Sequence, residues 1–77
     1  MSKKSITLAT FITIFSLSEK VVVIEANDET TVELFRGEVE DLDPYYFEGK
    51  NPLWMEIRGK HVEFATVIGN YLHVYVR

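Results

Sequence analysis

The run Val21-Val22-Val23-Ile24 constrains the fold of this chain more than any other feature. Four consecutive apolar β-branched residues favour extended backbone, and in a strand successive side chains point to opposite faces, so this segment is apolar on both. Such a strand belongs deep in a sheet, flanked or covered on each side. Lys20 and Glu25 mark its ends. A sheet therefore organises the fold, and 77 residues leave room for a single core. We read residues 1–77 as one α+β domain. A short N-terminal helix packs on a mainly antiparallel sheet of about four or five strands that ends in a C-terminal hairpin.

Two periods compete before the run. Leu8, Phe11, Ile12 and Phe15 recur at helical spacing behind Thr7, a suitable N-cap, whereas Ile6, Leu8, Thr10, Ile12 and Ile14 also alternate as in a strand. The stripe that includes the aromatic positions favours a short helix within Thr7 to Leu17. After the run, Asn27-Asp28-Glu29 turns the chain and Thr31 to Val39 forms the next strand, with a bulge expected at Gly37, since a glycine in a strand marks a bend or a close backbone approach. From Glu40 to Pro52 periodicity is lost, and Pro44, Gly49, Asn51 and Pro52 predict a loop. Leu53, Met55 and Ile57 alternate with Trp54, Glu56 and Arg58, which predicts a further strand. At the end, Val62, Phe64, Thr66 and Ile68 alternate on one arm and Leu72, Val74 and Val76 on the other. A three-residue loop, Gly69-Asn70-Tyr71, puts both sets on one face by pairing Ile68 with Leu72, whereas a two-residue loop splits them. The sequence therefore predicts the odd loop.

Charge narrows the functional classes. The chain is acidic, at −4 overall, and the acid is concentrated. Glu25, Asp28, Glu29, Glu33, Glu38, Glu40, Asp41, Asp43 and Glu48 share their stretch with one base, Arg36. Such a block repels a phosphate backbone, so direct nucleic-acid binding is disfavoured. The chain has no cysteine, which removes disulfides, thiolate metal sites and a cysteine nucleophile and suits a reducing cytoplasm. Lys3 and Lys4 before an apolar run imitate a secretory signal. Thr7, Thr10, Thr13 and Ser16 dilute that run, and it is too short to span a bilayer, so it is read as part of the fold with no membrane association.

No constellation points to catalysis, and no cofactor is implied. His61 and His73 face outward with Glu63 in the predicted register, but they lie near opposite ends of the arms and lack a third ligand. The carboxylates from Glu38 to Asp43 read as a solvated face rather than an acid–base pair, and the glycines are scattered singly. Two surfaces suit a protein partner instead. One joins Glu38, Glu40, Asp41, Asp43 and Glu48 to the aromatic residues Tyr45, Tyr46 and Trp54, which supply apolar area with a polar handle. The plainer alternative is that these aromatics fold back over the core. The other is an outward stripe, Tyr71, His73 and Tyr75, on a terminal strand whose free edge would pair in a homodimer.

The strings Val21-Val22-Val23-Ile24-Glu25, Leu34-Phe35-Arg36-Gly37-Glu38-Val39-Glu40-Asp41-Leu42 and Asn70-Tyr71-Leu72-His73-Val74-Tyr75-Val76 resemble small acidic proteins encoded by phages and mobile elements of Gram-positive bacteria. The Pro- and aromatic-rich segment 44–52 departs from that pattern. The resemblance implies a genomic setting and a short helix before the first strand, and it carries over no functional residues. The expectation is a non-enzymatic, cytoplasmic interaction protein. Its acidic surface would inhibit a host nucleic-acid-handling defence enzyme, such as a CRISPR effector or nuclease. The alternatives are a homo-oligomeric accessory or structural protein, and a sponge for a signalling nucleotide using Arg58, Lys60 and Arg77.

Overall fold

The computed structural model describes residues 6–42, 44 and 51–77. Along the chain run β1 (Ile6–Thr7), α1 (Leu8–Ile12), β2 (Lys20–Ala26), β3 (Thr31–Glu38), α2 (Val39–Leu42), α3 (Pro52–Ile57), β4 (His61–Ile68) and β5 (Tyr71–Val76). The strands form one sheet in the order β1-β4-β5-β2-β3. It is mixed but mainly antiparallel: β2 and β5 run parallel, and every other neighbouring pair runs antiparallel. The β-branched run sits on an interior strand, and Val21, Val22 and Val23 are fully buried.

All three helices lie on one side. Val21 and Val23 of β2 and Val74 and Val76 of β5 form a core with Leu8 and Ile12 of α1, Val39 and Leu42 of α2, and Trp54 and Ile57 of α3. Val22 is buried yet belongs to the opposite face, because alternate residues of a strand point to opposite sides.

Short helices are what these segments permit. In α1 the side chain of Thr7 accepts a bond from the Thr10 N–H, and the Leu8 and Ala9 N–H groups donate to the carbonyls of Lys60 and Arg58. The Thr13, Ile14 and Phe15 N–H groups then reach back only three residues, and the Thr13 hydroxyl bonds the Thr10 carbonyl at 2.6 Å. That tightening ends the helix before the Thr-diluted segment does. Val39 to Leu42, expected to be strand end and loop, is instead a helical turn. Asp41 accepts from the Glu38 N–H in the manner of a capping box, and the first N–H groups of α2 donate to the Glu19 and Leu17 carbonyls.

Three further expectations are overturned. Leu53 to Ile57 is helical, not a strand. Asn51 caps it by accepting from the Leu53 N–H, and Pro52 occupies the first turn, where its missing N–H costs nothing. Trp54 and Ile57, which alternation puts on opposite faces, therefore both point into the core, and Met55, which alternation puts beside Ile57, points out. Second, the hairpin uses the two-residue loop Gly69-Asn70: Ile68 pairs with Tyr71, and Gly69 takes φ +62, the left-handed conformation that such turns require. The bulge lies between Val62 and Phe64, so Val62 faces the core while Phe64 and Ile68 face away from it. Third, β5 is no edge. It is hydrogen-bonded to β4 on one side and β2 on the other.

Gly37 shows close approach rather than a bulge. It pairs with Val21, and the register shift of this ladder falls instead between Val23 and Ile24. A Cβ on Gly37 would meet the Phe35 ring and Asp41 Oδ2 at 3.2 Å each.

Candidate interaction surface

The sheet face opposite the helices is assembled by register. Val22 pairs with Arg36 of β3 and His73 of β5, Ile24 with Glu33 and Tyr75, Phe64 with Tyr75, Thr66 with His73, and Ile68 with Tyr71. Cross-strand partners share a face, so these residues form one surface. No helix covers it among the described residues.

That surface is ordered by its own contacts. Phe64 and Tyr75 stack with centroids 4.4 Å apart and planes inclined by 14°. Arg36 lies 5.3 Å from the centre of the Tyr71 ring, a cation–π contact. These two residues flank β2, so the arginine side chain crosses β2 above Val22, which accounts for a buried valine on a face that lacks a helix. Arg36 Nη2 donates to Glu33 Oε1 at 2.8 Å, and Nε donates to both carboxylate oxygens at 3.3 Å. The hydrogen bonds from Arg36 hold the Glu33 carboxyl below its ordinary value, aided by the charges of Arg36 and His73 and opposed by partial desolvation. The same bond raises Arg36. Glu33 is thus a fixed acceptor at neutral pH, not a proton donor.

The acidic stretch does not form one continuous surface. Glu25 pairs with Lys60 at 2.6 Å in a half-buried bridge, Glu33 with Arg36, and Asp41 is occupied with the Glu38 N–H. Asp28 and Glu29 are exposed at the β2–β3 turn and Glu40 at the other end of β3, and none of these three has an ion pair among the described residues. Glu38 is half-buried beside them. The unpaired carboxylates therefore sit at both ends of an edge strand, separated by roughly 25 Å of chain.

Of the residues expected to meet a partner, Glu38, Glu40 and Asp41 cluster where β3 passes into α2. Trp54 does not join them. It is 1% exposed in the core, its indole N–H without a partner among the described residues, so it fills the centre instead of anchoring an interface. Asp43, Tyr45, Tyr46 and Glu48 lie outside the described residues. Tyr71, His73 and Tyr75 do share a face as read, but on an interior strand, so they offer a surface and not an edge. His61 is exposed at the start of β4, and His73 is half-buried in the middle of β5. Of the cations considered for a nucleotide, Lys60 and Arg77 are engaged with Glu25 and Glu63. No helix among the described residues is long and apolar enough to cross a membrane.

The alternation reading missed Glu33, Arg36 and Phe64 as members of this face. The signal was present in Arg36 itself, a charged residue that strict alternation would put on the same face as Leu34, two positions before it. Compared with protein-family models, with curated proteins and with solved structures, the chain gives no match.

Proposed function

We propose that this is a non-catalytic interaction protein, of the phage-encoded kind its sequence resembles, that docks by its β3 border on a cationic protein surface. The proposed target is the nucleic-acid groove of a bacterial host defence enzyme. One observation carries the reading: among the described residues Asp28, Glu29 and Glu40 are exposed without an ion pair at the two ends of an edge strand, while Glu33 between them is paired with Arg36. Exposed carboxylates steer association with a basic groove and take the positions of phosphates there, and the aromatic and arginine side chains beside them supply contact area.

The test is a binding titration against basic-grooved nucleases and CRISPR effectors at increasing salt, with the variant Asp28→Lys, Glu29→Lys, Glu40→Lys beside the wild type. The expected result is association that weakens with salt and falls by about tenfold or more in the variant, whose circular dichroism is unchanged because all three positions are exposed. Association that ignores both salt and the three substitutions, or none across the panel, removes the reading.

A further inference from the structure

We propose that the outer edge of β4 pairs with the same edge of a second copy, joining two sheets into one about a twofold axis at Thr66. Sheet edges invite pairing, and proteins blunt them with charge, proline or a covering element. On this molecule the two edges are treated differently. β3 carries Glu33, Arg36 and Glu38 and is flanked by carboxylates at both ends, so a second acidic copy meets like charge there. At the other edge, among the described residues, β1 pairs with the first two residues of β4, Thr7 with His61 and Ile6 with Val62. Beyond them runs Phe64-Ala65-Thr66-Val67-Ile68, without a charge, a proline or a glycine, and with no strand on its outer side among the described residues. Phe64, Val67 and Ile68 are each more than half exposed.

The segment is complementary to itself. An antiparallel pair that keeps each face continuous must match residues of equal parity, and centring it on Thr66 sets Thr66 against Thr66 of the second copy. Phe64 then meets Ile68, and Ala65 meets Val67. These are aromatic–aliphatic, apolar and threonine pairs, the kinds that stabilise ladders, and no like charges face one another. The ladder, Phe64 to Ile68, does not overlap the residues of β4 that pair with the described part of β1. Even counting all the exposed area of the five side chains, it covers at most on the order of 400 Å² per copy, below the size of a standard specific interface, so the dimer is weak and concentration-dependent. It leaves the β3 borders on the two far sides, and it does not rest on the function proposed above.

The experiment is sedimentation velocity over about a hundredfold range of concentration. The wild type is expected to double in mass as concentration rises. Thr66→Lys and Thr66→Glu each place like charges on the axis and should stay monomeric, whereas their equimolar mixture should associate again as a heterodimer. Because Thr66 is exposed, both variants keep the wild-type circular dichroism. A wild type that stays monomeric throughout overturns the proposal. So does a dimer indifferent to both substitutions, or a mixture that fails to re-associate.

Discussion

Glu33 and Arg36 show how one exposed pair fixes a surface. They are three residues apart on an edge strand, where the register shift opposite Ile24 brings both onto the same face, and the carboxylate aims the guanidinium across β2 toward Tyr71. Because Glu33 is depressed in the folded chain, its contribution to stability is present above the ordinary carboxylate range and is lost as pH falls through the folded value. A carbon-detected NMR titration of the Glu33 side chain should therefore give a midpoint below that of an unpaired glutamate. In Arg36→Gln the midpoint should return to the ordinary range, and the Tyr71 ring resonances should shift as the cation leaves. An unchanged midpoint in the variant would mean that the depression has another source. The Lys60–Glu25 bridge, shorter at 2.6 Å, plays a different part: it ties the turn before β4 to the end of β2.

Asn51 does for the helices what Arg36 does for the open face. Its oxygen caps α3 at the Leu53 N–H, and its amide donates to the Asp41 carbonyl at 2.7 Å, joining α3 to the end of α2. Asn51→Ala should cost about 1–2 kcal/mol, read as a lower urea midpoint at unchanged slope, and Asn51→Asp, which keeps the cap and loses the amide donor, should fall between. Equal midpoints for all three would mean that the cap is satisfied from elsewhere. The same residue explains why this element was misread. Leu53-Trp54-Met55-Glu56-Ile57 fits a period of two as well as a helical turn, and the deciding signal, a capping residue followed by Pro52, lies outside the periodic window. The hairpin failed for a related reason. Alternation fixes a face only while the strand is regular, and a bulge at Glu63 moves every later residue to the other side with no mark in composition. The β-branched run carried no such ambiguity, because a strand apolar on both faces is indifferent to register. The candidate surface depends on register throughout, so Tyr71, His73 and Tyr75 on a regular strand were legible, whereas Glu33, Arg36 and Phe64, each beside a register shift, were not.

At the scale of the molecule, stability rests on one thin core. The chain exposes 5218 Å², near the roughly 4,800 Å² expected for a compact domain of its mass, and a domain this small is stable by only about 4–10 kcal/mol. Apart from Val22 the core lies on the helical side of the sheet, and Trp54 is its largest side chain, with α1, α2, α3, β2 and β5 all contributing to the cluster it fills. Truncation to alanine removes about 3–5 kcal/mol, a large part of the total. Trp54→Ala should therefore lose about a third or more of the wild-type stability, read as a correspondingly large fall in the urea midpoint by far-ultraviolet circular dichroism. Trp54→Phe should behave differently. It gives up some buried area but also removes an indole N–H that has no acceptor among the described residues, and leaving such a donor buried costs about 1–3 kcal/mol. The two effects offset each other, so the phenylalanine variant should unfold in urea within about 1 kcal/mol of the wild type. If the phenylalanine variant instead loses as much as the alanine variant, the indole N–H has an acceptor in solution. If the alanine variant stays folded near the wild-type midpoint, the helices and the sheet do not share the core described for them.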